Sequence, residues 1–309
     1  MKKYIVSICL GMFLFASCSN WLDVKPKTTV EEEEVFSREL GFKEALTGAY
    51  IKMASTDLYA KNLSYGFLDI LGQRYQINAV ANYENPLWYT FPSTYTESYT
   101  EAIWSKMYNV IANLNNLLRH IDGQDNVLSS GERDLYRGEA LGMRAFIHFD
   151  LIRLWGPMPG QVNENYLYLP YVLNVQLENY SYSNYRNYMA QLRTDLDSAE
   201  LLLQRVDPAV AGNAYQSTYG ANRKNRMNYY AVLGLQARVH LWLGEREEAL
   251  RYARLVRDAV NESGVGVFVL GTQEDFNRYD RVLYSSEQLF GLSLEEFADN
   301  MIADGNSPA

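Results

Sequence analysis

Thiols are almost absent: the 309-residue chain carries two cysteines, Cys9 and Cys18, both within its first eighteen residues. A disulfide framework, a thiolate metal centre and a cysteine nucleophile are thereby excluded from the body of the protein. Histidine is scarce too. His120, His148 and His240 each fall inside a strongly helical pattern, and no two stand at metal-ligand spacing, so they read as helix-face residues. No metal site and no cofactor is implied. Positive charge is in deficit, with 28 Lys and Arg against 37 Asp and Glu, and the basic residues are scattered. No strip of positive potential exists to neutralise a phosphate backbone, which argues against nucleic acid as a partner. Catalytic signatures are missing as well: there is no Gly-x-Ser-x-Gly elbow, no Gly-x-x-x-x-Gly-Lys loop and no His-Glu-x-x-His helix. Gly264-Val265-Gly266 lacks the third glycine and the following helix of a dinucleotide loop. The chain reads as a non-enzyme, although a carboxylate pair of hydrolytic spacing is not something a sequence with 37 acids reveals.

Long hydrophobic runs are missing too. The longest, Tyr4 to Phe15, spans 12 residues, short of the roughly 20 that a membrane-crossing helix needs. Lys2 and Lys3 precede it, and Phe15-Ala16-Ser17-Cys18 closes it with two small residues directly before a cysteine. This resembles the lipobox of bacterial lipoproteins, with Phe15 where Leu is usual. The reading is a signal peptide over residues 1–17, with Cys18 becoming a lipidated N-terminus. Loss of Lys2 and Lys3 leaves 26 basic residues against 37 acidic ones, a charge of about -11, ill suited to lying on an anionic leaflet. The acyl chains are therefore the membrane contact, at about 0.8 kcal/mol per buried CH₂.

What the chain has in excess is tyrosine, 25 residues against 12 Phe and 5 Trp. Rings with a polar tip suit a surface that meets water or a hydroxylated ligand. Residues 18–34, with Pro26, two Lys, two Thr and four consecutive Glu, cannot build a core and read as a tether; residues 35–309 read as a helical body.

Apolar spacing predicts helices over about Val35–Ala54, over Trp104–Ile121, over Glu132–Leu154 and from Tyr185 to Leu203. Two more, Met227–Leu243 and a helix through Ala249, Tyr252, Ala253, Val256 and Val260, are separated only by Gly244 and form an αα-hairpin. The helix ending at Leu154 is apolar around most of its girth and should be central. Such hairpins resemble tetratricopeptide repeats without a strict 34-residue period. The fold class is mainly all-α, with strand signals only at Val265–Leu270 and Arg281–Leu283. Between Leu58 and Tyr99 the periodicity dissolves into Asn, Ser, Thr, Gly, Pro and aromatics. A long aperiodic segment inside a compact domain is usually functional or mobile. Its Trp88, Tyr89, Tyr95 and Tyr99, with Asn82 and Asn85, concentrate rings and amides in one stretch.

Four blocks in order resemble one family, the SusD/RagB outer-membrane lipoproteins of Bacteroidetes. They are Cys18-Ser19-Asn20-Trp21-Leu22-Asp23-Val24-Lys25-Pro26; the Trp104-x-x-x-Tyr108-x-x-Ile111-x-x-x-Asn115 helix; Gly138-Glu139-Ala140 through Arg144-Ala145 and Phe149 to Trp155-Gly156-Pro157-Met158-Pro159; and the helix pair from Arg226 to Leu250 with Glu287-Gln288-Leu289-Phe290. The resemblance implies a surface-exposed, lipid-anchored protein of the outer membrane that binds oligosaccharides, or peptides in the RagB branch. For such a ligand it makes Trp88, Tyr89, Tyr95 and Tyr99, with Asn82 and Asn85, the candidate binding residues: rings stack on the apolar face of a pyranose while amides bond its hydroxyls. It implies a partner, a SusC-like TonB-dependent barrel, which the protein caps as a lid. Family members are usually longer, so the chain is read as a short or truncated one. Two other readings stay open: a surface-anchored glycan-degrading enzyme, and a helical-repeat adaptor for a protein partner. Within the third block Arg144 lies in an otherwise apolar helix, where an unpaired guanidinium would cost several kcal/mol. It is expected in a structural ion pair or bonded to carbonyls, not in a ligand site.

Overall fold

A computed structural model describes residues 32–74, 89, 94–124, 126–210, 212, 222–274 and 286–294. The chain divides into two units, Met1–Ser37 and Arg38–Ala309. In the first, a single helical turn, α1, spans Glu32–Val35. Residues 1–31, read from the sequence as a signal peptide, a lipidated Cys18 and most of a tether, lie outside the described residues, as do Arg281–Leu283.

The second unit is built from α2 (Glu39–Met53), α3 (Phe67–Leu71), α4 (Thr94–Ile121), α5 (Ser130–Trp155), α6 (Tyr185–Val206), α7 (Tyr229–Trp242) and α8 (Arg246–Arg257), with short 3₁₀ turns at Pro159–Gln161 and Arg223–Asn225. The helical-hairpin architecture is the one expected. α5 packs against α2, α4, α6 and α7, and 16 of its 26 residues are buried, so it is the hub. It starts at a capping box, Ser129 accepting from the Glu132 backbone N–H and Glu132 from the Ser129 backbone N–H. Gly138 and Gly142 allow its neighbours to come close: a β-carbon at Gly138 would meet Leu203 Cγ of α6 at 2.7 Å, and one at Gly142 would meet Met227 Cγ at 2.7 Å. On α6, all six positions of the predicted stripe, Tyr185, Tyr188, Leu192, Leu196, Ala199 and Leu203, are buried. Asn184 caps that helix by accepting from Asn187 N–H at 2.9 Å. α7 and α8 meet at Gly244, whose φ of +79° is the left-handed turn that glycine adopts without strain.

Three expectations need correction. α4 begins at Thr94, ten residues before the predicted start, and α3 lies within the segment read as aperiodic. In place of a strand at Val265–Leu270, the described residues hold an isolated bridge between Val260 and Gly266 and another between Leu169 and Ser183. No second strand runs alongside long enough to form a ladder. Finally, apolar Leu40, Ile51, Leu241 and Val260 of the predicted helices are exposed, while Tyr50, Gln236 and His240 with their polar groups are buried.

The irregular segment 156–183 is pinned across the helices by polar contacts. Tyr108 donates to Pro170 O at 3.1 Å, and Asn115 Nδ2 donates to Val172 O at 2.9 Å. Val172 N–H donates to His148 Nε2 at 3.3 Å. Tyr188 OH donates to His148 O at 2.8 Å, which leaves Nδ1–H of His148 to donate to the Tyr188 oxygen, also at 2.8 Å. The imidazole is thus neutral, stacked on Tyr171 at 3.8 Å. Burial, with the nearby Arg144 charge, holds its pKa well below the ordinary value. The unfolded chain takes up a proton at this ring below about pH 6.5 while the folded one does not, so stability falls with pH there by up to about 1.4 kcal/mol per pH unit. Denaturant titrations from pH 7 to 5 should show a steeper loss in wild type than in His148→Gln. Asp150, whose carboxyl burial pushes upward, titrates alike in both proteins and drops out of the difference. Equal slopes would contradict the assignment.

Candidate functional site

Three elements position the aromatic residues singled out in the sequence. The first turns of α4 carry Tyr95 and Tyr99, and Tyr89 stands alone as a described residue before them. Ser98 Oγ donates to Tyr95 O at 2.8 Å and Thr100 Oγ1 to Thr96 O at 2.9 Å, so short polar side chains bond back to the helix they extend. Tyr99 stacks on Phe67 of α3 at 5.3 Å with an interplanar angle of 27°, which covers one of its faces. Tyr95 and Tyr89 are open, 45% and 54% exposed. Tyr89 has a φ of +53° and donates its hydroxyl to Leu71 O at the end of α3, so a strained backbone and a side-chain bond fix this ring beside the α3 terminus. Trp88, Asn82 and Asn85 lie outside the described residues.

Sequence reasoning used Trp104 and Trp155 only as motif positions. The structure brings them together, edge to face at 5.1 Å, from α4 and the last residue of α5. Tyr108 joins Trp104 at 4.9 Å, and both tryptophans and Tyr108 are half-buried. The signal was present: Trp104 and Tyr108 are one helical turn apart, and Trp155 stands at a Gly-Pro stop.

Two buried ion-pair networks lie beneath these surfaces. Arg144 is bidentate to Asp195 of α6, Nε to Oδ2 and Nη2 to Oδ1 at 2.7 Å each, and gives Nη1 to Asn115 Oδ1 of α4 at 2.7 Å. Tyr171 OH donates to Asp195 Oδ2 at 2.6 Å. The expected ion pair is therefore present, and Arg144, 6% exposed, is committed to scaffold. In the other network Arg223 is bidentate to Asp207, at 2.8 and 2.9 Å, and also reaches Glu139. Tyr50 OH donates to Glu139 Oε2 at 2.9 Å. No group of three or more His, Cys, Asp or Glu able to hold a metal occurs among the described residues, and no described helix is long and apolar enough to cross a membrane.

Comparison with known proteins gives a consistent answer. A SusD-like family model, described as starch-binding and associating with the outer membrane, matches residues 20–241. A SusD-like protein of Bacteroides ovatus is 23% identical over 288 residues, 90% of this chain and 47% of that protein. SusD-like protein P25 of Formosa agariphila is 24% identical over 165 residues, 52% of this chain and 31% of its own length. The chain thus spans half or less of the curated relatives it matches. Among solved structures, a SusD superfamily protein of Bacteroides thetaiotaomicron superposes with a TM-score of 0.65 at 21% identity, over 84% of this chain and 53% of that one. A SusD-like carbohydrate-binding protein of Bacteroides vulgatus, so described in its crystal structure, gives 0.57 at 18% identity, over 77% and 47%.

Proposed function

This chain belongs to the SusD-like family, and from that premise we propose that it is a cell-surface lipoprotein that binds oligosaccharides, or peptides, and delivers them to a SusC-like TonB-dependent barrel as its lid. The observation that carries the reading is the family match across residues 20–241, the stretch that holds α2 to α6 and nearly all of α7. Three features support it. Cys18 stands directly after a short apolar leader, so acylation would tether the protein to the outer membrane without a spanning helix. A flexible tether lets a rigid helical body move between open and closed positions over a pore, and a ligand preferring one position shifts the balance. Tyr89 and Tyr95 present open rings at one end of α4, next to the segment that holds Asn82, Asn85 and Trp88. A pyranose offers an apolar C–H face to such rings and hydroxyls to such amides.

The site is tested by electrophoresis through gels containing polysaccharide, comparing wild type with Trp88→Ala and with Tyr89→Ala/Tyr95→Ala. Each variant should lose about tenfold in affinity, the worth of one stacked ring, with unchanged thermal unfolding. Undiminished retardation in both variants would remove this segment as the binding site.

A further inference from the structure

Two guanidiniums outside these networks converge on one ring. Arg153 of α5 lies 5.3 Å from the Phe149 centroid, and Arg238 of α7 lies 5.6 Å from the same centroid and 6.0 Å from that of Phe146. Arg238 is exposed and Arg153 is half-buried. Among the described residues Arg238 makes no hydrogen bond or salt bridge. Arg153 has one ionic neighbour, Asp150 Oδ1 at 3.5 Å, an atom that accepts no hydrogen bond. The other oxygen of Asp150 accepts from Tyr59 OH at 2.9 Å. Two cations thus face one carboxylate, Asp150, whose carboxyl burial pushes upward. Unlike Arg144 and Arg223, which are each bidentate to a carboxylate, Arg153 and Arg238 keep donor forks that bond no carboxylate in this way among the described residues.

The surroundings are aromatic. Phe146 contacts Tyr59 at 5.3 Å and Phe290 at 6.1 Å, and all three rings are half-buried. Asn228 Nδ2 holds the Phe290 segment in place by donating to Leu289 O at 2.7 Å. Half-open rings beside guanidiniums that make no hydrogen bond among the described residues form a composite surface: the rings suit the C–H face of a sugar, and the forks suit a planar carboxylate, which accepts two parallel N–H bonds.

Resting on the saccharide-binding reading above, we propose that Arg153 and Arg238, with Phe146, form a subsite for the carboxylate of an acidic sugar, a uronate or sialate unit in the bound glycan. A charged group here would replace the missing acceptors of both guanidiniums, and a neutral hydroxyl would do so only in part.

The test is calorimetric titration with ligand pairs that differ in the carboxylate alone: sialyllactose against lactose, and oligogalacturonate and oligoglucuronate each against its methyl ester. Wild type should prefer the carboxylated member of at least one pair by about tenfold at low salt, the worth of one charged hydrogen bond. The preference should shrink as salt is raised. Arg238→Gln, an exposed change that loses no hydrogen bond or salt bridge among the described residues, should remove most of the preference by lowering affinity for the carboxylated member far more than for the neutral one. Equal binding of both members in every pair by wild type, or a preference that survives Arg153→Gln/Arg238→Gln, would overturn the subsite and leave the saccharide reading standing. Absence of binding to every member, neutral or acidic, would overturn both.

Discussion

An Arg223→Met variant is expected to lose about 5 kcal/mol of stability, enough to leave much of the protein unfolded at 37 °C. Arg223 bonds to two carboxylates that are each 0% exposed, Glu139 of α5 and Asp207 after α6. Glu139 also accepts from Tyr50 OH, whose oxygen takes the Met227 N–H at 2.7 Å. Asp207 also accepts the backbone N–H groups of Ala209 and Tyr229, at 2.8 Å each. One guanidinium therefore ties α2, α5, the end of α6 and the start of α7 together. Burial alone would weaken its charge, but Glu139 and Asp207 outweigh that and hold it protonated. Removing one partner of a buried pair costs about 3–5 kcal/mol because the other charge stays buried; here two carboxylates are stranded, which places the cost at the upper end. Native stabilities are only about 5–15 kcal/mol. Adding Glu139→Gln and Asp207→Asn to Arg223→Met should restore part of the loss, since the orphaned charges vanish. Denaturant unfolding of the three proteins measures this. A single variant as stable as wild type would show that the network contributes nothing.

The second large effect is expected at Arg144. Arg144→Ala should cost about 3–5 kcal/mol, since Asp195 and Asn115, 2% and 1% exposed, lose their partner together. The double variant Arg144→Ala/Asp195→Ala should be less destabilised than the sum of the two singles, with a coupling of about 0.5–3 kcal/mol. Additivity within error, or wild-type stability for Arg144→Ala, would contradict the pairing.

These two networks show how far sequence reasoning reaches. An arginine in an apolar helix demands a partner, and that demand was readable; the partner was not. Glu139 lies five residues away, about 140° around the helix at 3.6 residues per turn, so it faces α2 and Arg223 while Arg144 faces α4 and α6. Asp195 sits on the predicted α6 helix one residue before Leu196 of its stripe, but nothing in a single sequence pairs it with a residue 51 positions earlier. The hub role of α5 and the buried face of α6 were legible because dense apolar spacing there leaves one interpretation. The first turns of α4 were not. Apart from Glu97 and Glu101, Thr94 to Glu101 is made of Thr, Tyr and Ser, which lose side-chain freedom in a helix or compete for its backbone bonds. That stretch is helical because it propagates from the strongly periodic residues after Ala102. The same misreading put Tyr95 and Tyr99 on a loop, when helical geometry fixes which of their faces opens to solvent. Of the aromatic surfaces, the Trp104–Trp155 contact and the Arg238–Phe146 contact join residues 51 and 92 positions apart, distances at which pattern is silent.

The central claim is that this helical body, tethered at Cys18, captures glycans or peptides. Isothermal titration of the folded wild-type chain against starch-derived, acidic and neutral oligosaccharides and a peptide mixture tests it most directly. The account predicts saturable binding to at least one oligosaccharide or peptide class, with no release of shorter saccharides during the titration. A folded protein that binds none of them, or that cleaves the glycan it binds, would contradict it.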